Sequence, residues 1–338
     1  MDTLRETGRR TVVITGGSAG LGRALTREFA QTGADVAIIA RGEDGLAGAK
    51  SDAEKAGVRA LTFSIDVANA EAVERAATEI EEKLGPIDVW INNAMNSVFS
   101  PVSEMTPEEY KRVTEVTYLG QVYGALSALK RMRQRDRGVI IFVGSALAYR
   151  GIPLQSAYCA SKHAVEGFFD SLRTELLHDK SNVQVTMVQL PAMNTTQFGF
   201  VKSRLPFKPR PMGTIYEPEI AANIIEYASR HIRREYYVGW PTVRAIVGNK
   251  IAPSYADRVL ANHGYDGQMT DDPEDPGRED NLWKPIKGDH GAHGNFSDEA
   301  KDSSVLAWTT MHRNLLVGVS MFFFISISLI KAMQSVKE

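Results

Sequence analysis

Thr11–Gly22 reads TVVITGGSAGLG. Five β-branched residues in a row, Thr11 to Thr15, predict a short strand. The glycines that follow predict a tight turn, and Arg23 to Gln31 reads as a helix. Glycine allows φ > 0 and lets the backbone approach a ligand closely. The new helix offers free N–H groups and the positive end of its dipole, a natural seat for a phosphate. The spacing TGxxxGxG differs from GxGxxG, but the physics is shared. Taken alone, the glycines are also consistent with a plain strand-to-helix turn, the lesser reading.

Outward from this stretch, strands and helices alternate. Strands are expected at Asp35–Ala40, Arg59–Ile65, Ile87–Ile91, Gly138–Val143 and Val183–Leu190, with helices at Gly42–Gly57, Asn69–Leu84, Pro107–Arg135 and Gln155–His178. Asn69–Leu84 carries Ala72, Val73, Ala76, Ala77 and Ile80 on one face, the 3.6-residue periodicity of an amphipathic helix. Gly85-Pro86 stops it. GVIIFV at Gly138–Val143 is apolar throughout, as a buried parallel strand should be. The expectation is an α/β fold, a doubly wound parallel sheet of Rossmann type. It forms a single domain over residues 8–262. A last helix is expected at Glu217–Arg230, a last strand at Tyr236–Gly239, and one or two helices over Pro241–Asn262.

Ligands of such sheets bind beyond the carboxyl ends of the strands. Gly16 to Gly22, Arg41, Asp66, Asn93, Ser145 and Pro191 all follow strand ends. Arg41 stands about 20 residues past the glycine turn, where an acid would hold the ribose 2′-OH of NAD and an arginine accommodates the 2′-phosphate of NADP. NADP(H) is therefore expected in preference to NAD(H). Gly144–Lys162, GSALAYRGIPLQSAYCASK, places Ser145 after the fifth strand and Tyr158 four residues before Lys162. Positions i and i+4 share a helix face. A cation beside a phenol favours the phenolate, which makes Tyr158 a proton donor and acceptor.

These residues resemble the short-chain dehydrogenase/reductase family. The resemblance rests on TGGSAGLG, Asp66-Val67, Asn92-Asn93-Ala94, Ser145, Tyr158-Cys159-Ala160-Ser161-Lys162 and Pro191 to Thr195, and covers roughly residues 10–260. It implies interconversion of an alcohol and a carbonyl by hydride transfer with a nicotinamide cofactor. It implies Ser145, Tyr158 and Lys162 as the catalytic set. Gly16, Ser18, Gly20, Leu21 and Gly22 would line the pyrophosphate. Asp66 and Val67 would flank the adenine, and Asn93 and Ala94 the ribose side. Tyr158 and Lys162 would also meet the nicotinamide ribose, and Pro191 and Thr195 the carboxamide end. It further implies a homo-oligomer, and a mobile lid over the substrate at Phe198–Met212. Three positions depart from the family pattern: Met95 stands for a glycine, Ala192 for another, and Thr117 for the asparagine of a water-linked proton relay.

The remaining composition bounds the partners. The chain has 338 residues, 43% hydrophobic, with a net charge of -2, so nothing suggests nucleic acid. One cysteine, Cys159, excludes an internal disulfide. MDTLRETGRR has no apolar signal region, and Asp2 excludes myristoylation. Residues 263–304, rich in Gly, Asp, Glu and Pro, are expected as a flexible polar linker. Two of its histidines, His290 and His293, lie in a glycine-rich loop and are not read as metal ligands. Residues 305–333 are expected as a hydrophobic helix. Within them, residues 314–330 form an uncharged run at the short edge of a membrane span. They are read as a C-terminal anchor with the catalytic domain in the cytoplasm, or alternatively as a helix in an oligomer interface. The substrate is expected to be a hydrophobic small molecule. A membrane-tethered NADP sensor or scaffold without turnover is the second reading. A serine hydrolase is disfavoured, since Ser145 lies in GSA and not in GxSxG.

Overall fold

The structure, a computed structural model, describes residues 8–313. Seven parallel strands form the central sheet: β1 (Thr11–Thr15), β2 (Asp35–Ala40), β3 (Ala60–Ser64), β4 (Ile87–Asn92), β5 (Gly138–Val143), β6 (Val183–Gln189) and β7 (Glu235–Tyr237). Their spatial order is β7-β6-β5-β4-β1-β2-β3, and each adjacent pair is parallel. The order reverses between β1 and β4, and a crevice opens there beyond the strand ends. The expected doubly wound single domain is thus the observed one.

Helices cover both faces. They are α1 (Gly20–Gln31), α2 (Glu43–Lys55), α3 (Ala70–Leu84), α4 (Pro107–Thr114), α5 (Gly120–Arg135), α6 (Ser156–His178), α7 (Pro218–Ala228), α8 (Trp240–Ile251), α9 (Pro253–His263) and α10 (Val305–Met311). Alternate residues of one strand feed two cores. Val12, Ile14, Val36 and Ile38 pack with residues of α1, α2 and α7. Val13, Ala37, Ile39, Trp90 and Phe142 pack with residues of α3, α5 and α6. The period-2 geometry of a strand with both faces covered requires such near-continuous apolar sequence.

The single helix expected over Pro107–Arg135 is interrupted. Thr106 and Glu109 cap α4 reciprocally, but Glu115–Leu119 forms a π turn before α5 begins. Thr117 accounts for its placement: its hydroxyl accepts from the Asn96 N–H at 3.0 Å and donates to the Asn96 carbonyl at 2.9 Å. A buried hydroxyl satisfied in both roles ties the helix to the chain leaving β4.

The linker expected over residues 263–304 is corrected by the structure. Gln268 and Leu282 are fully buried. Met269–Pro273 pairs antiparallel with Phe207–Pro209, and Phe296 packs edge-on against Phe198. Composition pointed to disorder, but glycine and acidic residues here meet specific partners. Asp289 accepts from Arg23 at 2.8 and 3.2 Å, and Gly288 N–H donates to Asp44 at 2.7 Å. Phe198–Met212, expected as a mobile lid, is held by the same pairings. Among the described residues no helix is long and apolar enough to cross a membrane. The run at 314–330 lies outside the described residues.

Candidate active site

At the head of α1 the chain doubles back so tightly that only glycine fits. A Cβ on Gly22 would lie 1.9 Å from the Gly16 carbonyl oxygen, and Gly16 itself has φ +68° with the Ala94 backbone against it. Thr15 and Asn93 hold this turn to the end of β4. The Thr15 hydroxyl accepts from the N–H groups of Asn93 (2.9 Å) and Ala94 (3.1 Å). The Asn93 amide donates to the Thr15 carbonyl at 2.9 Å.

Ser145 follows β5. Its Oγ accepts from the Leu147 N–H at 3.1 Å, which leaves the hydroxyl hydrogen free to point into the crevice, and it reaches the Tyr158 phenol. Tyr158 and Lys162 sit in the first turns of α6. The Lys162 ammonium is 2% exposed, donates to the Val143 carbonyl at 2.6 Å, and lies 5.6 Å from the Tyr158 ring centre. Burial pushes the Tyr158 phenol above its ordinary value, against a smaller lowering by the Ser145 hydrogen bond. Burial also brings Lys162 down to about 7. The expected lowering of Tyr158 by Lys162 is not observed: desolvation raises the phenol, only the Ser145 hydrogen bond opposes it, and Tyr158 keeps its proton across the neutral range. This is the state a proton donor needs.

Ser145, Tyr158 and Lys162 share a cavity of about 760 Å³ with the glycine turn. Gly16, Ser18, Gly20, Leu21 and Gly22 line one end, and Asp66, Val67, Asn93 and Ala94 the adjoining wall. Pro191, Thr195 and Met95 line it as well, with Thr195 packed against Gly20 of the turn. Arg41 lines the same cavity, but its guanidinium donates to the carbonyls of Asn281, Leu282 and Trp283. Asp66 accepts from Arg112, whose Nε donates to the Leu282 carbonyl at 3.0 Å.

Those tail residues form a wall that the sequence reading did not anticipate. The chain from Asn281 to His293 crosses the cofactor end of the crevice. The Gly20 N–H donates to the Gly291 carbonyl at 2.9 Å, and Thr195 bridges His293. The apolar cluster Leu282-Trp283 with Ile286, and Phe296 further on, was the sequence signal of this packing. At the other end α8 and α9 close the cavity with Asn249, Ala252, Tyr255 and Val259. The Asn249 amide donates to the Tyr149 carbonyl at 2.8 Å. The glycine cradle and the cavity-lining hydroxyls of Ser145 and Tyr158 fit a dinucleotide with its reactive end at Tyr158. Tail carbonyls engage the Gly20 N–H and the Arg41 guanidinium, so a phosphate at either group would have to displace them.

The family described as short chain dehydrogenase matches residues 10–204. A Bacillus subtilis protein, "Uncharacterized oxidoreductase YxnA", is 31% identical over 283 residues, 83% of this chain and 80% of the relative. A zebrafish (Danio rerio) 3-dehydrosphinganine reductase is 32% identical over 222 residues, 63% of this chain and 66% of the relative. Among solved structures, an alcohol dehydrogenase from Thermococcus sibiricus complexed with 5-hydroxy-NADP superposes with a TM-score of 0.59 at 25% identity. It covers 68% of this chain and 94% of that one.

Proposed function

The chain belongs to the short-chain dehydrogenase family of oxidoreductases, and from that premise we propose that it is an NADP(H)-dependent carbonyl reductase acting on a hydrophobic substrate. The observation that carries this reading is the convergence of Ser145, Tyr158 and Lys162 with the glycine turn on one cavity. The nicotinamide, when bound, supplies the hydride. The chain does the rest. The Ser145 hydroxyl, held by Leu147 N–H, orients and polarises the carbonyl oxygen. The Tyr158 phenol gives that oxygen its proton. Lys162 lies beside Tyr158 and favours the phenolate left behind. In the oxidative direction Tyr158 takes the proton back.

Arg41 supports NADP(H), since no acid stands at the end of β2 to hold a ribose 2′-OH. The apolar far end of the cavity, with Phe198, Met212, Tyr255 and Val259, supports a hydrophobic substrate. The zebrafish relative's name makes 3-dehydrosphinganine the first substrate to assay. A binder without turnover has no need of a buried lysine behind the tyrosine. The test is consumption of NADPH by the purified chain with 3-dehydrosphinganine and a panel of long-chain ketones, compared with Tyr158→Phe. The variant should lose about 10²–10⁴ in turnover, the range for a positioned acid or base. Near-normal turnover in Tyr158→Phe would overturn the assignment.

A further inference from the structure

The outer wall of the cavity at α8 and α9 is apolar on its solvent side. Trp240, Val247 and Ile251 are spaced i, i+7, i+11, which is one helix face. They are 59%, 46% and 78% exposed. Tyr255, on α9, is 68% exposed and also lines the cavity. A run of large exposed apolar side chains on consecutive helices is uncommon on a soluble surface and marks an interaction site. Here the ridge and the cavity share a wall, with exposed Tyr255 belonging to both.

Two further observations identify the occupant. Arg244, Lys250 and Arg258 are exposed on the same helices. The acid of this stretch, Asp257, is engaged by Arg150. The face is therefore apolar with a cationic fringe, the pattern that lies on anionic lipid. The second observation is where the chain leads. The Ser304 hydroxyl donates to the Val238 carbonyl at 2.6 Å, so α10 starts at the corner where α8 starts, and its first residue, Val305, is 74% exposed. Beyond Arg313 the sequence continues into the uncharged run at 314–330.

We infer that the α8–α9 face rests on an anionic lipid bilayer, with the mouth of the cavity turned to the acyl region, so that hydrophobic substrate enters from the membrane without crossing water. The inference rests on the hydrophobic-substrate reading only for its purpose. The contact itself is read by lipid binding, without turnover.

The experiment uses the full chain. Its single cysteine, Cys159, is 5% exposed, so a thiol-reactive, polarity-sensitive dye goes to an introduced site. Ile251→Cys carries the dye on the ridge, and Leu177→Cys, 64% exposed on α6, carries it elsewhere. Both are mixed with vesicles of phosphatidylcholine alone and of equimolar phosphatidylcholine and phosphatidylserine. The ridge dye should shift to the blue and brighten with the anionic vesicles, while the α6 dye stays water-like. Lys250→Gln and Arg258→Gln should each weaken vesicle binding by about fivefold, the effect of one cation near an anionic surface. If the protein sediments with vesicles while the ridge dye stays water-like, the remaining chain does the binding and the inference is overturned. It is equally overturned if no vesicle moves either dye, or if both dyes shift alike. Loss of carbonyl reduction with an intact dye shift would instead refute the proposed reaction alone.

Discussion

Lys162 is held in the fold against its own charge. Its ammonium is buried, its protein partner is a neutral carbonyl at 2.6 Å, and burial takes it from 10.5 to about 7. At about 1.4 kcal/mol per pH unit this displacement amounts to on the order of 5 kcal/mol of destabilisation in the charged state. The sign follows from proton counts. Between pH 7 and 10.5 the unfolded chain holds a proton on this lysine that the folded chain does not, so stability rises with pH through that window. The penalty is fully present below about pH 7 and gone above 10.5. Lys162→Met removes the charge and leaves the Val143 carbonyl without its donor, at a cost of about 1–3 kcal/mol. The cofactor-free variant should therefore be more stable than wild type by about 2–4 kcal/mol at pH 6, and less stable near pH 10. It should also be nearly inactive. Urea unfolding of both proteins across that range measures the difference. A wild-type-to-variant difference that does not move with pH would refute the claim that Lys162 is stored as a buried, strained base.

Other outcomes are expected from the same geometry. Gly22→Ala places a methyl 1.9 Å from the Gly16 carbonyl, and should abolish cofactor binding and lower Tm, read by NADPH titration and thermal melts. Asp289→Ala removes the tail's ion pair to Arg23 and should speed NADPH exchange in stopped-flow fluorescence; unchanged rates would mean that the tail does not gate the crevice. Arg41→Asp should move the kcat/KM ratio from NADPH towards NADH, and an unchanged ratio would count against a 2′-phosphate role. Glu74 is held at about 2, with hydrogen bonds from Arg131, Lys130 and Ser127 overcoming its burial. Its contribution is complete above its usual pKa near 4.5 and is lost as pH falls towards 2, so Glu74→Gln should flatten acid unfolding in that window.

Much of the site was readable because its parts are local. A β-branched run before glycines makes a strand and turn whatever surrounds it. Tyr158 and Lys162 share a face of any helix that contains both. Alternating apolar strands and amphipathic helices dictated the doubly wound sheet, and with it the edge where Ser145, Asp66 and Asn93 meet. Thr117 was legible as a departure, but not its consequence. A π turn depends on what the hydroxyl meets, and it meets Asn96, 21 residues away.

The tail was misread because composition reports average hydration, while packing depends on single partners. Asp289 finds Arg23 across 266 residues, and Leu282 finds a closed pocket beside Val98 and Val113. The protonation of the catalytic pair was likewise a tertiary matter. Sequence put a cation beside a phenol, which alone would lower the tyrosine. Only the folded structure set how much water each group loses, and desolvation left Tyr158 protonated and Lys162 near neutrality. Sequence by itself determined the sheet, the glycine turn and the strand edge on which Ser145, Tyr158 and Lys162 meet, because those follow from covalent spacing and backbone preference. Tertiary structure alone decided the tail's course, the exposure of the apolar α8–α9 face and the charge states, because these depend on distant residues and on the exclusion of water.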